Sequence, residues 1–405
     1  METAAAAARV EALIRFIGRE VTLYGWLTYK RTSGGIWFLL IRDGSGVVQC
    51  VLSRDAVTSG SYRTAAAIPV ESSVCVQGRV RRDDRAPGGL EIRVDMLRVM
   101  HPANAGIHCG QRQSVRQRMD NRHLDIRSPE AAAVCRVRHT LIVACQQFLH
   151  NHGFVFFFPP VLVPAGAADT GRAFQVDFFG RSMDLSRRGL FYLEAGAMSL
   201  GRVYSLSPVF FAENKQTGRH LAECWMLEAV AAFVDLNEML HITEELISDA
   251  AGHVARSCRE DLILLKRDAD RLARIRPPFR KHDTENASDT PVVRAAVRQE
   301  PPGFTVKRTS GRDSPLWMEI HVPGEAWRLA YVGQYEDDED RLRQNMRNSH
   351  TEGHAYEWIA DLAACGGVVH SGFRLQVEHM TGWLCGLSHI RDAIPFPRMV
   401  HRWSP

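Results

Sequence analysis

The chain has 405 residues, 45% of them hydrophobic and 24% charged, which excludes a disordered or fibrous protein and allows two domains. A formal net charge of +4 permits an anionic partner without demanding one. No apolar run reaches the ~20 residues of a membrane span, and the nine cysteines (50, 75, 109, 135, 145, 224, 258, 365 and 385), odd in number and without a C-x-x-C pair, argue for a reduced, cytoplasmic protein without a disulfide framework.

The opening METAAAAARVEALIRFI, residues 1–17, reads as a short amphipathic helix. It lacks the basic start, long apolar stretch and cleavage site of a secretory signal; an organellar leader stays open. Residues 18–101 carry alternating, β-branched runs: VTLYGWLTY, IWFLLIRDGSGVVQCVL, SSVCVQGRV and GGLEIRVDMLRVM. DGSG and APGG supply hairpin turns. Five short strands of this kind predict a small closed barrel of the OB type.

Residues 102–120 are polar and read as a hinge; His108-Cys109 within them has no second ligand pair nearby, so no metal site is expected. From 121 to 405 the pattern is mixed. SPEAAAVCRVRHTLIVACQQFLHNHG starts on an N-cap, Ser128, and ends on a glycine, which predicts a long helix. Short strands, a helix near 235–265 and further strands follow, so this half is α+β with an antiparallel sheet. Residues 275–315, rich in charge and proline, read as a long surface loop.

Three stretches now add up to a family. GFVFFFPPVL follows the long helix, with Pro160 inside it; PVFFAENKQTGRHLAECWMLE and HSGFRLQVEHMTGWLCGLSHIRDAIPFPR come later, in that order. The chain resembles class II aminoacyl-tRNA synthetases of the asparaginyl/aspartyl type, and the stretches are similar to their three motifs. The resemblance implies an OB-fold anticodon-binding barrel joined to a class II antiparallel-sheet catalytic domain, a homodimer, and tRNA as partner.

In the barrel it implies an arginine, a phenylalanine seven residues on and a glutamine eleven further, which contact the anticodon. Arg31, Phe38 and Gln49 stand at those spacings, and Glu91 falls where the first anticodon base is read. A splayed base needs a flat apolar platform and a directional polar group. A phenylalanine in an alternating strand otherwise reads as core.

In the second domain the family positions are altered. The arginine expected to grip the α-phosphate is Phe211, and the arginine expected to clamp ATP is His379. Arg374 and Gln376 stand where small residues leave room for adenine, and Arg328 stands where a magnesium ligand is expected, unless an insertion puts Glu325 there. Ala168, Leu190 and Tyr335 replace groups expected to hold the substrate amino acid. Glu213, Arg219, His220, Glu223 and Glu378 match the family. Joining a carboxylate to a triphosphate needs fixed positive charge, so ATP and Mg2+ binding are not expected.

Arg172, Arg187, Arg188, Arg219, Arg328 and Arg374 cluster near the old pocket and predict a site for a small anion, or else a solvated rim. Catalytic candidates are His220, His370, His379, Glu213 and Glu378. Three readings remain: a tRNA-binding pseudo-synthetase with an accessory or regulatory role, an ATP-independent enzyme acting on aminoacyl-tRNA or a small anionic metabolite, and an asparagine ligase with a rebuilt site.

Overall fold

In a computed structural model describing residues 6–55, 57, 59–104, 113–165, 173–215, 217–281, 290–295, 304–309, 314–323, 327–348 and 356–404, the early alternation becomes a closed barrel. The chain divides into two units, Met1–Arg112 and Gln113–Pro405.

The first unit opens on β1 (Ala6–Ala7), which lies parallel to β2 (Glu20–Ser33). Between them Val10–Phe16 form a 3-10 helix, shorter than the helix read over residues 1–17, and residues 1–5 lie outside the described residues. The hairpin turn at Asp43–Gly46 meets the start of this helix. Val10 N–H donates to the Asp43 carboxylate (2.8 Å) and Glu11 N–H to the Ser45 hydroxyl (3.1 Å), so those donors are satisfied by the turn. Leu13 is thereby packed into the barrel core, fully buried.

β3 (Ile36–Arg42), β4 (Val47–Ser53), β5 (Ser73–Arg82) and β6 (Leu90–His101) complete the five predicted strands. The order β2-β3-β4-β6-β5 closes through a β2–β5 pairing, and only β4–β6 is parallel among these pairs. Leu39, Ile41, Leu52 and Ile92 alternate inward, fully buried; each such side chain contributes about 1.5–3 kcal/mol. A helix not foreseen, α1 (Ser59–Ala67), lies between β4 and β5.

The expected hinge is partly helical. Residues 105–112 lie outside the described residues, but Val115–Asp120 form α2 on a capping box. Ser114 Oγ accepts from Gln117 N–H (3.3 Å) and the Gln117 side chain accepts from Ser114 N–H (2.9 Å). Then come α3 (Arg122–Asp125) and α4 (Pro129–Asn151), the long predicted helix, capped by Ser128. β7 (Val155–Phe156) precedes a three-stranded antiparallel sheet of β8 (Leu162–Pro164), β9 (Gln175–Phe178) and β10 (Arg181–Leu185).

The remaining elements are α5 (Leu190–Leu200), β11 (Arg202–Phe210), β12 (Glu223–Ala232), α6 (Leu236–Ser257), α7 (Arg259–Leu264) and α8 (Ala269–Ala273). β13 (Arg280–Lys281), β14 (Val292–Ala295), β15 (Trp317–His321), β16 (Arg328–Tyr335), α9 (Glu339–Asn348), α10 (Glu357–Ala364), β17 (His370–Gln376) and α11 (Val377–Cys385) follow. The second unit centres on an eight-stranded sheet ordered β13-β14-β15-β16-β17-β12-β11-β7, antiparallel except for its two end pairs. The stretch read as a loop, 275–315, therefore includes the edge strand β13 and its neighbour β14, which pairs with β15 on its other side. Residues 282–289, 296–303 and 310–313 of it lie outside the described residues.

Leu227, Ala229, Val332, Phe373 and Leu375 pack in one core with residues of α4 and α6. Alternation turns the intervening residues to the opposite face, where the register aligns Ser205, Glu228, Arg374, Tyr331 and Glu319 in one row across five strands. The next row is Val203, Val230, Gly372, Gly333 and Trp317, and beyond it His370 pairs with Tyr335.

Candidate functional site

The barrel gathers its predicted residues on one outer face. Arg31 is registered opposite Phe38, Phe38 opposite Val51, Val51 opposite Arg93, and Arg93 opposite Arg79. The neighbouring row runs Tyr29, Leu40, Gln49, Glu91, Arg81. Paired residues point to the same side of a sheet, so Arg31, Phe38, Gln49 and Glu91 share a surface while Leu39, Cys50 and Ile92 face the core. The Arg31 guanidinium lies 4.2 Å from the Phe38 ring centroid, a cation–π contact. Gln49 Nε2 donates to Glu91 Oε2 (3.2 Å), which fixes the orientation of the amide. The sequence reading missed Tyr29, half exposed, and the exposed Arg81 and Arg93. Strand parity relative to Phe38 is the signal that finds them.

On the sheet, Phe211 follows β11, and its ring lies 5.3 Å from the Arg187 guanidinium. Arg187 pairs with Glu213 (3.0 Å), which Lys215 also engages (2.7 Å). The Lys215 hydrogen bond, aided by the Arg187 charge, holds the Glu213 carboxyl below its usual range. Arg374 lies 5.2 Å from the centroids of both Trp317 and Tyr331, whose rings stack on each other at 5.4 Å. The three groups form a triangle on the sheet face.

Arg374 also stands in register with Glu228, fully buried, whose Oε2 accepts from Gly189 N–H (2.6 Å). Burial pushes the Glu228 carboxyl up, and Arg374 opposes the shift. The glycines of the next row are occupied by aromatic rings: a Cβ on Gly333 would stand 2.6 Å from Trp317, and one on Gly372 3.0 Å from the Tyr335 ring. Leu190 and Tyr335 belong to one apolar cluster with Leu193, Val203 and Val230. Among the described residues the Tyr335 hydroxyl has no hydrogen-bond partner.

Beside that ring (5.5 Å) is His370, with Nδ1 on the Val368 carbonyl (2.8 Å) and Nε2 on Glu194 Oε2 (3.3 Å). Burial opposes charge on His370, but the Glu194 carboxylate outweighs it and raises its pKa; burial likewise raises Glu194. Glu194 and Glu228 are the site residues that sequence reasoning missed. Each is a lone acid inside an apolar run, FYLEAGAM and CWMLEAVAA, the one sign that could have flagged it.

Two residues matching the family act as structure. Glu378 is fully buried, accepting from Arg138 (2.8 Å) and from Trp225 N–H (3.1 Å), and burial raises its pKa. It ties α4, β12 and α11 together. His220 Nδ1 meets Thr217 Oγ1 at 2.5 Å on the loop before β12, where Arg219 is exposed and Glu223 opens the strand.

His379 is buried, with Nδ1–H donating to the Arg328 carbonyl (2.8 Å) and its ring edge-on to Trp327. Burial first, and then the nearby Arg328 and Arg219 charges, hold its pKa down at about 4. Arg328 itself donates to the Tyr331 hydroxyl (3.1 Å) and lies 3.5 Å from Glu319. Gln376 caps α11 by position only, without a side-chain cap bond. Arg188, from the loop before α5, acts electrostatically on Glu194 and Glu228. Ala168, Arg172 and Glu325 lie outside the described residues.

Comparison with known proteins agrees with this architecture. Residues 114–325 and 326–400 match the model for tRNA synthetases class II (D, K and N), and residues 21–100 that for the OB-fold nucleic acid binding domain. The asparagine–tRNA ligase of Pelotomaculum thermopropionicum is 35% identical, over 98% of this chain and 99% of its own length. That of Chloroflexus aurantiacus is 33% identical over the same shares. The crystal structure of asparaginyl-tRNA synthetase from Pyrococcus horikoshii complexed with asparaginyl-adenylate superposes with a TM-score of 0.89 at 30% identity, covering 99% of this chain and all of that one. With its barrel, its eight-stranded sheet and full-length likeness to asparaginyl enzymes, the chain belongs to the class II tRNA synthetases of the aspartyl, lysyl and asparaginyl group.

Proposed function

We propose that this protein binds tRNA through its barrel and no longer activates asparagine with ATP at a synthetase's rate, serving as an accessory or regulatory member of the group. The observation that carries this reading is the absence of charge at two family cation positions: Phe211 is apolar, and His379 is buried and neutral at pH 7. One missing transition-state donor costs roughly 2.7–4 kcal/mol, about 10²–10³ in rate, and losses within one site do not simply add. Arg374, packed against Trp317 and Tyr331, takes up the space kept for adenine, and Leu190 with Tyr335 replaces polar recognition by an apolar cluster. The residues do not fit a magnesium ion either, because the Arg328 guanidinium occupies the neighbourhood of Glu319. We include in the reading a homodimer built on the exposed Val155, Phe158 and Leu162.

A second reading, an asparagine–tRNA ligase with a rebuilt site, is favoured by the full-length likeness to such ligases and by Arg187, which brings a guanidinium beside Phe211. Asparagine-dependent ATP–pyrophosphate exchange, run beside tRNA(Asn) binding, separates the two. Binding without exchange is the expected result. Exchange at an ordinary synthetase rate would overturn the first reading in favour of the second.

A further inference from the structure

Between α5 and the sheet, four buried polar atoms have no hydrogen-bond partner among the described residues: Glu194 Oε1, Ser205 Oγ, Glu228 Oε1 and the Tyr335 hydroxyl. Glu228 and Tyr335 are fully buried, and Glu194 and Ser205 almost fully. Buried polar groups are nearly always paired, because leaving one unpaired is costly. Four orphans in one place therefore call for an occupant.

The fold brings them together. Ser205 stands in register with Glu228 on paired strands. Tyr335 stands opposite His370, and its ring lies back over Gly372, where a Cβ would come 3.1 Å from its hydroxyl. Gly372 lies on the strand between His370 and Arg374, so the hydroxyl points toward the row of Glu228. Glu194 reaches the same place from α5, holding His370 Nε2 through Oε2, while Glu228 Oε2 reaches back to Gly189 N–H at the start of that helix. Burial first, and then the Glu194 and Glu228 charges against those of Arg374 and Arg188, raise the pKa of the Tyr335 hydroxyl, so both carboxylates lie near it.

The chemistry of the orphans names the occupant. Each carboxylate has one oxygen engaged and one left, and a carboxylate oxygen only accepts. The two hydroxyls can accept as well, whereas an ammonium group brings three N–H donors and no acceptor. The donors and cations already present do not meet the need: burial raises both carboxyls in spite of His370 and Thr305 on Glu194, Arg374 and Gly189 on Glu228, and Arg188 on both. Arg374 lies instead against Trp317 and Tyr331. At position 335 a phenol replaces the group expected to hold a substrate amino acid, while both acids stay.

We infer that Glu194 Oε1, Glu228 Oε1 and the Tyr335 hydroxyl form a site for the ammonium group of a small primary amine, with Leu190, Val203 and Val230 against its short aliphatic body. All three polar atoms are enclosed, which keeps the ligand small. The site goes beyond the tRNA-binding reading and is opposite in sign to the small-anion site read from the arginines. A free ammonium ion has the same head-group chemistry, and the test separates it from an amine.

The test is the thermal midpoint of the full chain, titrated at constant ionic strength with propylammonium, ammonium, tetramethylammonium or potassium chloride, and separately with asparagine. A ligand held only by the folded chain raises the midpoint. A saturable gain is expected with propylammonium and none with potassium or with tetramethylammonium, which has no N–H. An equal gain with ammonium chloride would support the head-group site with the free ion as occupant, and a gain confined to propylammonium would support it with an amine. Glu194→Gln and Glu228→Gln should each abolish the gain. Tyr335→Phe, which removes a single oxygen, should raise the half-saturating concentration several-fold, and it carries the test if the glutamine variants do not fold. No gain in the wild type, an equal gain with potassium, or an undiminished affinity in Tyr335→Phe would overturn the site and leave water as the partner of the orphans. A gain with asparagine but not with propylammonium would overturn it in favour of the ligase reading. None of these outcomes bears on tRNA binding by the barrel.

Discussion

The barrel face and the sheet face of this protein are built from the same materials, arginines beside aromatic rings, and they handle them in opposite ways. On the barrel, Arg31 lies over Phe38 at 4.2 Å and remains exposed, and Arg81 and Arg93 are exposed and make no ion pair among the described residues. On the sheet, Arg374 is packed against Trp317 and Tyr331 in register with the buried Glu228, Arg187 is closed on Glu213, and Arg328 lies beside Glu319. The difference follows from burial. An exposed guanidinium keeps its water and can wait for a ligand, whereas one drawn into a protein needs a counter-charge or a ring face from the chain itself. A surface poised to bind and an interior whose arginines already face a carboxylate or a ring can therefore look alike in the sequence.

The comparison breaks most sharply at Glu378, a family-matching residue that the sheet uses as structure. Its carboxylate holds Arg138 and the Trp225 N–H in a fully buried site. Glu378→Ala leaves Arg138 buried and unpaired, which costs about 3–5 kcal/mol. Urea denaturation should show this as a lowered midpoint. If the variant unfolds no earlier than wild type, the pair is not structural and Glu378 returns as a candidate for chemistry.

Next in size is a gain. Phe211→Arg puts a cation at the position left apolar and is expected to raise asparagine-dependent pyrophosphate exchange by up to about 10²–10³-fold, the worth of one transition-state donor. No increase would place the block at Arg374 or at the Leu190–Tyr335 cluster, and Arg374→Gly in the same background then becomes the informative addition.

How much of this was legible follows the range of the interactions. The barrel strands were readable because alternation and turns such as DGSG are local; Asp43 Oδ1 accepts from Ser45 N–H (2.9 Å) and Gly46 N–H (3.2 Å) within the turn itself. The helix after Ser128 was readable for the same reason. Strand β14 was not, because its stability comes from β15, a partner more than twenty residues away, rather than from its own composition. In the site, spacing found the changed positions but not their compensation. Nothing local tells that Arg187 meets Glu213, that Arg374 meets Trp317 and Tyr331, or that Glu194 meets His370 across 176 residues. The six arginines read as one basic cavity or else as a solvated rim; among those described, the carboxylates of Glu213, Glu228 and Glu319 stand against three of them.

On the barrel side the corresponding substitution is Phe38→Ala. Removing a stacking ring costs about 1–3 kcal/mol per base, so tRNA(Asn) should bind more weakly by that amount with no change in thermal midpoint. Equal binding by the variant would mean that Phe38 serves only as a rest for Arg31, and the barrel would lose its claim to be the poised surface.

The smallest effect tests the buried side through pH. His379 has a folded pKa of about 4, below the ordinary 6.5. Below pH 6.5 the unfolded chain takes up a proton that the folded one refuses. The stabilisation from this residue is therefore complete above pH 6.5 and is lost as pH falls toward 4. Between pH 6.5 and 5.5 the loss is about 1 kcal/mol. Glu194, Glu228 and Glu378, whose pKa values are raised, act with the opposite sign in the acid range. The informative quantity is thus the difference between wild type and His379→Gln, in which the carboxylates cancel. Urea denaturation at pH 6.5 and 5.5 should find the variant less sensitive to acid by that amount. If both lose stability in parallel, His379 is charged in the folded protein, a cation stands at the position after Glu378 after all, and the contrast between a neutral sheet site and a charged barrel face loses its firmest member.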